Sequence, residues 1–167
     1  MRVYVEVLLY IVRDGEVLLI RKRRGLGAGY INGVGGKVEP GEDPQAAVVR
    51  EAVEEVGVKP IEPRWTGLLE FWNYDDEGVE FHYVHVYVAN QYEGELRPSE
   101  EAEPIWFKID DIPYNQMWED DRYWLPLVLS GRMIYGRFRF RNWRMIDGFT
   151  SILGNCSQVS TNIGVKD

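Results

Sequence analysis

The amino-acid sequence predicts an α/β (α+β) fold, a mixed β-sheet flanked by helices, on three observations. β-rich runs occupy both ends and the middle of the chain. One segment carries the pattern and both terminal signals of an amphipathic helix. A stretch with seven glycines from Gly25 to Gly41 separates that helix from the opening strands.

Residues 3–12 and 16–23 read as strands joined through Asp14-Gly15, a dipeptide suited to a hairpin because both positions accept positive φ. The glycine stretch is too flexible for regular structure and reads as a functional loop that lets backbone approach a ligand. Asp43 as N-cap, Pro44 at the first helical position and Gly57 past the end bracket a helix over 44–56. Counting 100° per residue, Ala46, Val49, Val53 and Val56 form its packing stripe, and Glu51, Glu54 and Glu55 cluster opposite. Residues 65–74 and 79–90 form a long hairpin across 75–78, and 104–109 another strand. A second helix begins at Asp120 or Asp121 and reaches about Leu129, with Pro126 near enough to its start to be tolerated and Gly131 ending it. Strands at 132–141 and 143–153 close a single domain over 1–153, and 154–167 is a polar tail.

The bulk numbers narrow the function. A chain of 167 residues with 45% hydrophobic residues suits one well-cored domain, and a net charge of -8 argues against binding a nucleic acid polymer through its phosphates. The apolar opening is broken by Glu6 and followed by Arg13 and Asp14, so neither a signal peptide nor a membrane span is expected. The expected location is cytoplasmic, with a monomer the default state. The single cysteine, Cys156, has no partner for a disulfide or zinc site and reads as an ordinary residue. His82 and His85 share a strand without metal spacing and read as structural.

The chemistry concentrates on the first helix. Glu51, Glu54 and Glu55 stand at i, i+3 and i+4, where like charges repel by roughly 0.2–0.5 kcal/mol per pair unless a cation neutralises them. Such oxygen ligands suit Mg²⁺, with Mn²⁺ also possible. The bland alternative is a solvated acidic face in which Arg50 and Glu54 form an i,i+4 pair.

Residues 36–58 read GKVEPGEDPQAAVVREAVEEVGV. This segment resembles the Nudix box at every fixed position: Gly36, Glu42, Arg50-Glu51, Glu54-Glu55 and Gly57, with aliphatic residues where the box requires them. The resemblance implies a Nudix hydrolase with an α/β/α sandwich and the box as loop-helix-loop. It implies that Glu51, Glu54 and Glu55 bind divalent metal with a carbonyl of Gly35 or Gly36, that Glu55 activates water, and that Arg50 orients Glu51. Glu101, in the acidic run before the 104–109 strand, matches a position that often adds a carboxylate; read alone, it is a charged loop residue.

Three further segments, RGLGAGYINGVGGKV (24–38), PIWFKIDDIP (104–113) and MWEDDRYWLPL (117–127), resemble the vertebrate-type 8-oxo-dGTP diphosphatases, hydrolases of oxidised purine nucleoside triphosphates. By that resemblance Asn32, Asp120 and Asp121 read the base, Trp118 stacks on it and Phe71 walls the pocket. Lys22, Gly36 and Lys37 lie near the substrate. The residue types suit this, because an Asn amide both donates and accepts, and adjacent carboxylates hold one proton between them. Taken alone, Asp120 or Asp121 would be a helix cap and Trp118 a core aromatic. Leu26, Ile31, Ala102 and Glu119 depart from the usual pocket residues and imply a wider base site, and Val7 or Glu6 stands where that subfamily has a hydroxyl residue in contact with the base. Two rivals remain: a Nudix hydrolase of dinucleoside polyphosphates, for which Tyr74 is the one pointer, or of ADP-ribose, and a non-catalytic nucleotide-binding module.

Overall fold

The computed structural model describes residues 1–155, so the expectations for Cys156 and for most of the polar tail lie outside the described residues. In chain order the elements are β1 (Arg2–Arg13), β2 (Glu16–Lys22), β3 (Ile31–Asn32), β4 (Val34–Lys37), α1 (Pro44–Val56), β5 (Lys59–Ile61), β6 (Arg64–Asp75), β7 (Gly78–Ala89), β8 (Gln91–Glu93), β9 (Ala102–Lys108), α2 (Asp121–Leu129), β10 (Arg132–Arg141) and β11 (Arg144–Asn155). Two 3-10 turns, Ile109–Asp111 and Tyr114–Gln116, lead into α2.

The predicted mixed sheet is present. It runs in the order β11-β10-β6-β7-β1-β2-β3, with β9 on β2 and β4 on β1, while β5 and β8 pair separately. The central strand β1 lies parallel to β7 along most of its length, and its other edge is divided. Residues Glu6–Leu9 pair with β4, and Ile11–Arg13 pair with β2. The divided edge brings the glycine-rich segment onto the sheet.

Alternation along β1 and β2 places a core on each face. Val7, Leu9, Ile11, Leu18 and Ile20 pack against α1, whereas Tyr10, Val17 and Leu19 pack against α2 with Trp124, Leu125 and Val128. The sheet is thus the middle layer of a sandwich. The Asp14-Gly15 turn has positive φ at both residues, 51° and 77°, as its hairpin requires.

Four sequence expectations are corrected. The glycine stretch is not wholly irregular, because β3 and β4 form within it and borrow their ladders from β2 and β1. Pro126 sits inside α2, at its sixth residue. β11 begins one residue later than expected and takes two residues assigned to the tail. The largest difference concerns α1, where Ala47, Val48, Ala52, Glu55 and Val56 are buried while Val53 is exposed. At 100° per residue the packing face is rotated by roughly 130° from the apolar stripe. An apolar count misplaces it because two glutamates, Glu51 and Glu55, turn toward the sheet.

Candidate active site

A solvent-open cleft of about 860 Å³, open solvent included, lies where β1, β4, the end of α1 and the start of α2 meet. Lys22, Gly35, Gly36 and Glu55 line one part of it. Asn32, Asp120 and Asp121 line another, together with Phe71, Trp118, Phe140 and Trp143.

Behind the first group, Arg50 organises the acids of the loop and of α1. Its guanidinium makes a two-pronged bond to Glu42 (2.8 and 2.9 Å) and donates to Glu51 Oε1 (2.9 Å), Glu54 Oε2 (3.3 Å) and the Lys37 carbonyl (2.9 Å). One side chain thereby ties the loop to the helix, a geometry suited to the planar fork of arginine. Those bonds from Arg50, helped by the Glu39 backbone N–H, pull the Glu42 carboxyl down to about 2.

Two glycines let the glutamates come close. A Cβ on Gly36 would stand 2.5 Å from the Glu51 carboxyl carbon, and one on Gly35 would stand 2.0 Å from the Val7 carbonyl oxygen. Only glycine fits at either position. Glu55, 7% exposed, accepts the Gly35 N–H at 2.8 Å. Burial pushes its carboxyl up to about 8, against the Gly35 bond, with Glu51 and Glu101 adding to the rise and Lys22 opposing it. Burial also raises Glu51, and Arg50 opposes that shift.

Other expected residues stand apart. The Glu54 side chain is 58% exposed and reaches only Arg50. Glu101 is 46% exposed and bonded to Arg24 Nε at 2.8 Å, which lowers its pKa, and it does not line the cleft. The Lys37 ammonium lies over the Tyr4 ring at 4.4 Å. Among the described residues, no three His, Cys, Asp or Glu side chains converge into a ready metal cage. The donor set nevertheless fits Mg²⁺, which takes one or two carboxylates and fills its octahedron with water and substrate phosphate oxygens.

The second group is held differently. Asp120 and Asp121 are 2% and 3% exposed at the start of α2. Asp120 has helical φ and ψ and makes no cap hydrogen bond, so the capping reading fails. Asp120 Oδ2 accepts Trp124 Nε1–H at 2.7 Å, whereas Asp121 Oδ2 and the nearby Tyr10 hydroxyl have no partner among the described residues. Burial pushes Asp120 up to about 6, opposed by the Trp124 bond; burial and the charge of Asp120 push Asp121 well above the usual range. The pair therefore holds one proton near neutral pH. Asn32 Oδ1 accepts the Gly33 N–H at 2.9 Å, leaving its amide N–H groups to the cleft.

Aromatic walls complete this part. Trp118 meets Tyr30 edge-on with centroids 4.9 Å apart and lies 5.7 Å from Trp143; Phe71 and Phe140 are 6.0 Å apart. Among the aromatic and titratable lining residues, sequence reasoning gave no site role to His82, Phe140 and Trp143, and it offered Glu6 only as an alternative to Val7; both line the cleft. Trp143 was expected to start a strand, but it occupies a turn at φ 61°, its N–H held by Asn73 Oδ1 at 2.8 Å. His82, expected to be structural, packs under Trp143 and contacts Glu6; the signal was an unpaired acid at Glu6 in an apolar strand. His85 does have a structural setting, accepting Trp65 Nε1–H at 3.1 Å.

A sheet between two helices, with a cleft bordered by a glycine-backed acidic helix and an aromatic pocket, defines the class of small-molecule hydrolases built on a loop-helix-loop motif. The chain belongs to the NUDIX domain family, which it matches over residues 2–128. It is 42% identical over 139 residues to the oxidized purine nucleoside triphosphate hydrolase of Danio rerio, covering 83% of this chain and 88% of that one. To the Mus musculus protein of the same description it is 38% identical over 135 residues, covering 81% and 85%. Among solved structures, a MutT protein from Bacillus halodurans superposes with a TM-score of 0.79 at 26% identity, covering 89% of this chain and 97% of that one. Nudix hydrolases generally require divalent metal ions. No helix among the described residues is long and apolar enough to cross a membrane.

Proposed function

We propose that this protein hydrolyses oxidised purine nucleoside triphosphates such as 8-oxo-dGTP to the monophosphate and pyrophosphate, with Mg²⁺, or Mn²⁺ in its place. The observation that carries the reading is the buried Asp120–Asp121 pair, with one bare oxygen, at the wall of an aromatic cleft that also contains Glu55. The descriptions of the fish and mouse relatives support it.

Asp121, protonated, donates to the base; Asp120 accepts; and Asn32 Nδ2 donates beside them. Such a set reads a purine edge that presents both donors and acceptors, in more than one tautomer. Trp118 and Phe71 hold the ring plane. Glu51 and Glu55, with a carbonyl of Gly35 or Gly36 and with Glu54 from the outer side, would hold the divalent ion, which when bound neutralises phosphate charge and lowers the pKa of water. Glu55 takes the proton of the attacking water. Arg50 fixes Glu51, and Lys22 in the cleft meets phosphate. Tyr74, the pointer to dinucleoside polyphosphates, does not line the cleft.

A panel of 8-oxo-dGTP, 2-hydroxy-dATP, dGTP, ADP-ribose and a dinucleoside tetraphosphate, each with Mg²⁺ and with Mn²⁺, tests the substrate. An oxidised purine is expected to lead, and ADP-ribose cleaved orders of magnitude faster would overturn the assignment. Glu55→Gln is expected to lower pyrophosphate release by about 10²–10⁴-fold with the fold intact. Unchanged release would contradict the catalytic assignment.

A further inference from the structure

The most unusual polar group in the cleft is one that the proposed chemistry leaves unused. Glu6 and His82 both line it, on adjacent parallel strands and the same face of the sheet. His82 Nδ1 contacts Glu6 Oε1, and its Nε2 lies 3.0 Å from Glu80 Oε1. The imidazole is therefore spent on two carboxylates. Glu6 is not, because its Oε2 takes no hydrogen bond among the described residues, and its side chain is 25% exposed toward the cleft.

An unbalanced carboxylate here would repel a polyphosphate. His82 removes that objection, since every group facing it favours its charged form. Glu6 and Tyr4 come from β1, Glu80 from its own strand and Trp143 from the β10–β11 turn, with the Tyr4 ring stacked at 4.8 Å and the Trp143 ring edge-on at 5.2 Å. Two cations lie nearby and oppose that preference: Arg2, bonded to Asp75 and 3.6 Å from Glu80, and Lys37, which pairs across the ladder with Glu6 and holds its ammonium over the Tyr4 ring at 4.4 Å. Burial alone would lower the His82 pKa, but the bonds and charges of Glu6 and Glu80 outweigh it and raise it. Glu6 also has a defined place relative to the proposed base site. Tyr10, beside the Asp120–Asp121 pair, is four residues along β1 on the same face, roughly 13 Å at 3.3 Å per residue. Trp143, which packs on His82, also lies 5.7 Å from Trp118.

We propose that Glu6, charge-balanced by His82, is a specificity-determining acceptor that selects nucleotides carrying an N–H or O–H donor on the nucleoside, either a base amine or a sugar hydroxyl. This rests on the nucleotide-hydrolase reading given above. A bond to a charged acceptor in a part-buried site contributes about tenfold or more to recognition. The pair also makes recognition sensitive to alkali: the imidazolium is present below its raised pKa, and as pH climbs through that value Glu6 becomes an uncompensated charge beside the substrate's phosphates.

The test is a double-deletion cycle on kcat/KM. Wild type and Glu6→Leu are each assayed with the preferred nucleotide, with its analogue lacking the exocyclic base amine, and with its 2′,3′-dideoxy analogue. Wild type is expected to disfavour one analogue by about tenfold or more through KM, and Glu6→Leu to lose that preference, so that the two deletions are not additive. The analogue that couples tells whether base or sugar is read. His82→Gln is expected to weaken the preference and to remove its decline at alkaline pH. Equal losses on all three nucleotides would show a structural role only and overturn the proposal, as would the absence of any preference in wild type. If wild type cleaves none of the nucleotides, the hydrolase reading itself fails and takes this one with it; a fully active wild type with additive deletions sinks the Glu6 proposal alone.

Discussion

Two groups of acids meet at or beside the cleft, and they are held in opposite ways. On α1, Glu51 is bonded to Arg50 and Glu55 to the Gly35 N–H, so both carboxylates are oriented before anything binds. At the start of α2, Asp121 keeps an oxygen with no partner, and its neighbour Asp120 relies on one indole N–H. The first arrangement fixes oxygens in space, as positioned chemistry requires. The second stores an unmet hydrogen bond, whose cost is recovered when a ligand with matching donors and acceptors arrives. Damage to the first group should therefore appear in turnover, and damage to the second in affinity and in stability of the opposite sign.

The sharpest way to break this contrast is Gly36→Ala. The added methyl would meet the Glu51 carboxyl at 2.5 Å and displace it, leaving the aspartate pair untouched. A misplacement of that order is expected to lower kcat by about 10²-fold. Binding of the monophosphate product, followed through Trp118 fluorescence, should change little. An equal loss in product affinity would show that the two groups are not separable.

Asp121→Asn is the complementary change. Replacing the carboxyl O–H by a bulkier amide that cannot share a proton with Asp120 is expected to raise KM for the oxidised purine about 10–100-fold, with kcat less affected. Stability should move the other way. Because the folded pKa of Asp121 is raised by burial and by Asp120, ionisation costs stability as pH rises above the unfolded value near 4. Asparagine never pays that cost, so at pH 7–8 the variant is expected to melt about 2–4 °C higher, the equivalent of about 1 kcal/mol in a domain of this size. The advantage should vanish near pH 3. A variant that melts lower at pH 8 would show that the carboxyl is structural.

The same contrast explains what could be read from the chain. The proposed catalytic group lies within one helix and the loop before it, so Glu42, Arg50, Glu51 and Glu55 sit at spacings that local geometry fixes. The bounds of α1 were legible for the same reason, since Asp43, Pro44 and Gly57 act within a turn of the ends. Its packing face was not, because burial of Glu51 and Glu55 depends on the bare backbone of Gly35 and Gly36 arriving from β4. The aspartate pair, Asn32 and Trp118 were reachable only through resemblance to a family. His82 was legible by neither route, and Glu6 only as one of two residues, with Val7, at a position where relatives meet the base, since the Glu6–His82 contact exists only once β1 and β7 pair in parallel. Tertiary convergence leaves no periodicity in the sequence.

A gentler probe of the second group is pH. With Asp120 at about 6, lowering the pH from 7 to 5 protonates it and removes the pair's charged acceptor. Affinity for the base should fall with pH over that window by up to about tenfold per unit. The nucleoside is the ligand to use, because a phosphate titrates near 6 and would mask the effect. Asp120→Asn should flatten the limb; a limb of equal slope in that variant would assign it to another group.

Glu101 offers the smallest effect and the finest test of the first group. Its carboxylate is ion-paired with Arg24 and outside the cleft, yet near enough to raise the Glu55 pKa. To reach a cation beside Glu55 it must leave Arg24, which costs little because exposed pairs contribute only about 0–1 kcal/mol. Glu101→Gln is therefore expected to raise the Mg²⁺ concentration for half-maximal rate by about fivefold or less, the range that a supplementary rather than a founding ligand gives. The saturating rate should be unchanged. A loss of kcat as large as that of Glu55→Gln would place Glu101 among the fixed oxygens, and the division between helix-held and loop-held acids would have to be redrawn.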